Sequence, residues 1–245
     1  MNTSYSTALV TGASSGIGKA TALALAQQGL AVVAVARRAD ALADLAAAGC
    51  AVLPLDVTDH ERMAALVEDV APDVVVNNAG IARMGNLGGC MTGDITDQLS
   101  VNVSAVMEIL RVAIPIMRAK SRGHIVNVSS IAAHHVFGGM PVYAATKAAV
   151  AALTDQLRLE VAGTGIRVTE IIPGRVETEI FANALGDAEE ARQRFFDGYD
   201  ALRPQDVAEA IAYAVTAPPH VNVTRLEIMP THQVPGGLSF HRDGA

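Results

Sequence analysis

Tryptophan is absent from this sequence and only 4% of its 245 residues are aromatic, so ring stacking cannot be what fills the interior. With 51% hydrophobic residues, the core has to come from Ala, Val, Leu and Ile, a composition that suits buried parallel strands covered by small-residue helices. Cysteine is nearly as scarce. Cys50 and Cys90 stand far apart with no CxxC or Cys/His spacing, which suggests neither a disulfide framework nor a metal site and fits a reducing compartment. Long runs of one charge are missing too: 18 Lys and Arg against 25 Asp and Glu give a formal charge of −7, which argues against a nucleic-acid-binding surface. The start, MNTSYSTALV, lacks a basic stretch followed by an apolar core, and no apolar run reads as a membrane span. A cytoplasmic protein with no membrane or nucleic-acid partner is expected.

What is present is alternation. Short aliphatic runs, TALVT (7–11), LAVVAVA (30–36), AVLPL (51–55), DVVVN (73–77), HIVNVSS (124–130), RVTEII (167–172) and TRLEIM (224–229), are separated by longer helical stretches. Such a βαβ series predicts an α/β fold of Rossmann type: one doubly wound domain over 1–245, its seven-stranded parallel sheet covered by helices on both faces. No repeat or linker divides the chain. The long segment around 179–203, containing FANALGDAEEARQRFFDGYDALRP, is expected to be a short helical flap over a site, and 230–245 a C-terminal tail.

TGASSGIG (11–18) directly follows the first run and precedes a helical one. Gly12 permits a tight turn, Gly16 lets a backbone approach a pyrophosphate, and Gly18 lets the helix lie close to the sheet, with Ser14, Ser15 and Ile17 completing the turn. The free amides of that helix would face phosphates. Such a triad alone is also an ordinary strand-to-helix turn; its position after the first strand favours nucleotide binding. The second strand ends in ARRAD, with no acidic residue to hold a ribose 2′-hydroxyl; Arg37 and Arg38, aided by Ser14, can pair with a 2′-phosphate, which points to NADP(H). The competing reading is a solvated strand end with Asp40 folded back and NAD(H) as cofactor.

Residues 143–147 read YAATK. Four residues apart on a helix, Tyr143 and Lys147 share one face, and a neighbouring ammonium favours tyrosinate. Pro141 fits the first helical turn, and the positive helix end would act on the phenol in the same direction. Together with TGASSGIG, NNAG (77–80), Asn102, Ser130 and PGRVET (173–178), YAATK resembles the short-chain dehydrogenase/reductase family over nearly the whole chain. The resemblance implies that Tyr143 is the general acid/base and that Lys147 tunes it and binds the nicotinamide ribose. It also implies that Ser130 donates to the substrate oxygen and that Asn102 holds a proton-relaying water. Asn78, Ala79 and Gly80 would pass the adenosine side, Asp56 and Val57 the adenine, and Pro173, Gly174, Val176 and Thr178 the nicotinamide carboxamide. Ser129 should point to the opposite face from Ser130.

Substrate choice is less legible. The pocket is expected to involve IAAHHVFGGM (131–140), Arg83, Met84 and the flap residues Phe181, Phe195, Phe196 and Tyr199, with His134 and His135 as loop residues. Arg83 and Arg175 are candidates for an anionic substrate group or plain surface charges, with Glu177 able to neutralise Arg175. IARMGNLGGCMTGDITDQ is more Gly-rich than the family pattern, and APPHVNVTRLEIMPTHQ resembles the 3-hydroxy acid dehydrogenase and clavulanate-type reductase branch. The expectation is an NADP(H)-dependent oxidoreductase acting on a small-molecule carbonyl or alcohol: a small aldehyde, ketone or 3-hydroxy acid. An NAD(H)-linked alcohol dehydrogenase and a non-catalytic NADPH-sensing regulator are the alternatives. The resemblance also implies a homo-oligomer, tetramer or dimer.

Overall fold

The computed structural model describes residues 5–198 and 200–234. Its strands are β1 (Thr7–Thr11), β2 (Ala31–Ala36), β3 (Ala51–Pro54), β4 (Val74–Asn77), β5 (Gly123–Val128), β6 (Ile166–Pro173) and β7 (Arg225–Ile228), each within two residues of the expected runs. They form one seven-stranded sheet in the order β3-β2-β1-β4-β5-β6-β7, and every pair is parallel. The helices are α1 (Gly16–Gln27), α2 (Ala43–Ala47), α3 (His60–Val70), α4 (Thr92–Leu99), α5 (Ala105–Ala119), α6 (Pro141–Glu160), α7 (Ile180–Leu185), α8 (Ala188–Phe195) and α9 (Pro204–Thr216).

Strand alternation divides the apolar side chains between two cores. Ala8 and Val10 of β1, with Val74 and Val76 of β4, face a cluster completed by Leu25 of α1 and by Val207 and Ile211 of α9. Leu9 and Val75, one residue out of phase, face the other, which holds Met63 and Val67 of α3 and Ile109, Leu110, Ala113 and Met117 of α5. Each fully buried Val, Leu, Ile or Met side chain among them stabilises the fold by about 1.5–3 kcal/mol relative to exposure. Strand order reverses between β1 and β4, so the crevice of the sheet opens at their carboxyl ends.

Residues 92–119 form a continuous 28-residue helix that is, by length and composition, apolar enough to cross a membrane. Its apolar face, with Val106, Ile109, Leu110 and Met117, is instead spent on the core. That helix is also not regular: it passes through a π turn at Ser100–Ser104, centred on Asn102. Such a widened turn re-aims side chains and is found mostly at functional sites.

The segment after β6 is helical, as expected of the flap. α7 ends at Gly186, whose φ of 78° closes the helix in the left-handed region. Asp187 then caps α8, its Oδ1 accepting from the backbone N–H groups of Glu189 and Glu190 at 2.9 Å each. Tyr199 and residues 235–245 of the tail lie outside the described residues.

Candidate active site

The glycine turn after β1 is clamped to the end of β4. Asn78 Nδ2 donates to the carbonyls of Thr11 (3.0 Å) and Gly12 (3.3 Å), and Thr11 Oγ1 accepts from the N–H groups of Asn78 and Ala79 at 3.1 Å each. A Cβ on Gly12, whose φ is 68°, would lie 2.7 Å from Ala79 Cα, and one on Gly18 would lie 2.3 Å from the Gly12 carbonyl oxygen. Neither position tolerates a side chain. Ser15, at the N-cap of α1, makes no side-chain cap, so the first amides of that helix remain available to an anion in front of it.

From this turn a cleft of about 1000 Å³ runs along the carboxyl edge of the sheet. Of the residues singled out in the sequence, it is lined by Ser14, Ser15, Gly16, Ile17, Arg37, Arg38, Asp56, Val57, Ala79, Gly80, Ser130, Tyr143, Lys147, Pro173, Gly174, Val176 and Thr178, with Gly12 and Asn78 at its floor. Gly18 and Asn102 act from behind. Arg37 Nη1 lies 3.9 Å from Asp56 Oδ2, while Arg38 Nη2 is 3.4 Å from Ser14 Oγ and 2.9 Å from Glu179 Oε2. Asp40 opens a short 3-10 turn, Asp40–Leu42, away from the cleft lining. The donor set at this end, two guanidiniums, a serine hydroxyl and free helix amides, fits the phosphates of a nicotinamide dinucleotide.

At the other end, Pro141 starts α6 and places Tyr143 in its first turn. Lys147, one turn on, is 5% exposed; its Nζ donates to the Val128 carbonyl at 2.8 Å and stands 5.8 Å from the centroid of the Tyr143 ring. Burial pushes Lys147 down to about 8. Burial likewise pushes the Tyr143 phenol up to about 12, opposed by its hydrogen bond with Ser130. Here the expectation of a lowered phenol is corrected: desolvation of tyrosinate outweighs a lysine whose ammonium is aimed at a backbone carbonyl.

β5 ends at Val128, two residues before the expected Ser130, which instead caps the short 3-10 turn Ile131–Ala133 by accepting from Ala132 N–H at 3.1 Å. Ser129 turns the other way, its hydroxyl donating to Glu170 Oε1 at 2.7 Å. Glu170 is fully buried on β6 and also accepts from His134 Nε2 (2.8 Å) and Arg225 Nε (2.9 Å). His134 is therefore a structural anchor of the loop rather than a pocket residue. Phe137, Gly138 and Met140 of the same loop do line the cleft.

Asn102 finds its hydrogen-bond partners outside its own helical segment. Its Oδ1 accepts from Ile81 N–H at 2.8 Å, and its Nδ2 donates to the Ile81 carbonyl at 2.9 Å and to Thr146 Oγ1 at 3.0 Å. The side chain thus ties the π turn to the segment that follows β4 and to α6. Gly80 lies between Asn102 and Lys147: a Cβ there would stand 3.5 Å from both Asn102 Oδ1 and Lys147 Nζ.

The flap closes the far side. Phe181 and Phe195 stack with centroids 4.5 Å apart, and the guanidinium of Arg175, 8% exposed, lies 5.5 Å and 5.0 Å from their ring centres while donating to the Phe195 carbonyl at 3.1 Å. Phe196 packs edge-on against Phe181 at 5.8 Å. Arg83 is pinned to α4 by Asp94 at 3.2 Å, and Met84 N–H reaches the Ala184 carbonyl of α7 at 3.4 Å. Arg175, not Arg83, is thus the arginine built into the aromatic wall.

Sequence reasoning missed Glu170, Glu179, Thr146 and Gln233. Glu170 carried a signal, a lone carboxylate in an aliphatic run, since a buried acid needs donors. Glu179 and Gln233, whose Oε1 accepts from Arg175 N–H at 2.8 Å, carried none; chain folding alone brings them in.

A model of the short chain dehydrogenase family matches residues 6–189. The chain is 40% identical to an uncharacterized short-chain type dehydrogenase/reductase of Sinorhizobium fredii, over 97% of this chain and 96% of the other. It is 36% identical to an uncharacterized oxidoreductase of Staphylococcus aureus, over 91% and 96%. Among solved structures it is similar to the closed form of a serine dehydrogenase complexed with NADP+, with a TM-score of 0.90 and 33% identity over 97% of this chain and 100% of that one. It is also similar to an alcohol dehydrogenase of Thermococcus sibiricus complexed with 5-hydroxy-NADP, with a TM-score of 0.81 and 27% identity over 94% and 98%. With this fold, this cleft and these relatives, the chain belongs to the short-chain dehydrogenase/reductase family of oxidoreductases.

Proposed function

We propose that the protein is an NADP(H)-dependent oxidoreductase that interconverts a carbonyl and an alcohol, with Tyr143 as its general acid/base. The observation that carries this reading is the meeting of Ser130, Tyr143 and Lys147 at one end of a cleft whose other end is a phosphate cradle. A bound nicotinamide dinucleotide supplies or accepts the hydride. In the reducing direction Tyr143 Oη gives its proton to the carbonyl oxygen as negative charge develops there, and Ser130 Oγ donates to the same oxygen. A phenol held protonated at neutral pH suits the acid role. Lys147 provides the neighbouring positive charge, and the space at Gly80 between Asn102 and Lys147 is where a water would pass protons onward.

Arg38 with Ser14, and Arg37 beside them, hold the 2′-phosphate; Asp56 and Val57 flank the adenine, and Pro173, Gly174, Val176 and Thr178 the carboxamide. Dinucleotides carrying the extra phosphate in two similar structures support this choice over NAD(H). Among candidate substrates, small aldehydes, ketones and 3-hydroxy acids, the likeness to a serine dehydrogenase favours a small hydroxy acid. A single-domain enzyme of the cytoplasm, assembled as a dimer or tetramer, completes the reading; light scattering reads the subunit number. The test of function is a screen of aldehydes, ketones and hydroxy acids followed by nicotinamide absorbance with each cofactor. Turnover with NADP(H) upholds the reading. Preference for NAD(H) would favour the alcohol dehydrogenase alternative, and tight NADPH binding without turnover of any substrate would favour a sensing regulator.

A further inference from the structure

A carboxylate sits against one of the two arginines that follow β2 in the cleft. Glu179 Oε2 accepts from Arg38 Nη2 at 2.9 Å and from Ser15 Oγ at 3.1 Å, and Arg38 Nη2 is 3.4 Å from Ser14 Oγ. All four residues line the cleft. The guanidinium assigned above to the 2′-phosphate therefore already holds an anion. Glu179 comes from the opposite side of the cleft, immediately before α7 of the flap. Its backbone is not a free loop tip: a Cβ on Gly16 would come within 3.0 Å of Thr178 Cγ2, so the preceding residue lies directly on the glycine turn.

A ligand lacking a 2′-phosphate leaves the Arg38–Glu179 pair intact. One carrying it must exchange anions at Arg38, and at close range a phosphate and a carboxylate repel. We propose that Glu179 is a specificity-determining residue that competes with the 2′-phosphate for Arg38 and so limits the discrimination between NADP(H) and NAD(H). The proposal rests on Arg38 being the phosphate ligand. Glu179 sets how strongly that ligand is felt.

Calorimetric titration of the full chain with NADP+ and with NAD+ tests it, in the wild type, Glu179→Gln, Arg38→Ala and the double variant. Glu179→Gln is expected to tighten NADP+ binding by roughly five-fold or more while moving NAD+ by less than about two-fold, and to lose that difference in the Arg38→Ala background. Equal shifts for both dinucleotides, or weaker NADP+ binding, would overturn the role of Glu179. If Arg38→Ala alone leaves the NADP+ to NAD+ ratio unchanged, the assignment of Arg38 fails first and the proposal with it. Glu179→Ala should give the same sign, since the effect belongs to the charge and not to the amide.

Discussion

Lys147 Nζ donates to the Val128 carbonyl at 2.8 Å, tying the cation of α6 to the last residue of β5. The same contact keeps a nearly inaccessible ammonium at the carboxyl edge of the sheet, two residues before Ser130 and one helical turn after Tyr143. The active-site end of the cleft is thus held by a charge that the fold itself disfavours, a common arrangement where function and stability pull apart.

That burial gives Lys147 a pH signature. Its folded value of about 8 lies below the ordinary 10.5, so its contribution to stability is fully present above 10.5 and is lost as pH falls from there through 8. Lys147→Met removes the ionisation. The stability difference, variant minus wild type, should therefore rise by up to about 3 kcal/mol as pH falls from above 10 to 7. Urea unfolding across that range checks it; a difference independent of pH would show that Lys147 is not desolvated.

Glu170 anchors the loop that follows Ser130. Its buried carboxylate takes hydrogen bonds from Ser129, His134 and Arg225, so Glu170→Gln, which keeps the shape but loses the charge, should cost about 1.5–3 kcal/mol in urea unfolding at neutral pH. Stability unchanged within about 0.5 kcal/mol would mean the network is not formed in solution.

Arg38 is half-exposed, so its removal should be read in binding and not in stability. Arg38→Ala is expected to raise the KM for NADPH by roughly ten-fold with little change for NADH. Arg37→Asp should move the preference further in the same direction. Steady-state kinetics with both cofactors decides, and parallel losses for the two would point to general damage to the cleft.

Most of this architecture was written locally in the sequence. The strand runs, the glycine turn and the YAATK helix start are set by short-range steric and patterning rules, and the structure places them within two residues of expectation. The cleft lining followed from the same rules, because residues just past parallel strands converge on one edge. What local rules could not supply was partnership. That Glu179 meets Arg38, or that Gln233 meets the backbone of Arg175, depends on segments 141 and 58 residues apart. The direction of the Tyr143 shift was equally hidden, since a charge pair can be read from spacing while desolvation depends on everything packed around it. The π turn at Asn102 belongs to the same class: the helical pattern was visible, but its widening answers to Ile81 and Thr146 from elsewhere in the chain.

The most direct measurement compares Tyr143→Phe with the wild type, reading both turnover of a substrate found in the screen and NADPH binding by calorimetry. With the phenolic proton gone and the ring retained, turnover should fall by about 100-fold or more while the Kd for NADPH changes by less than about three-fold. Turnover equal to that of the wild type would contradict Tyr143 as the proton carrier and, with it, the chemistry assigned to this cleft.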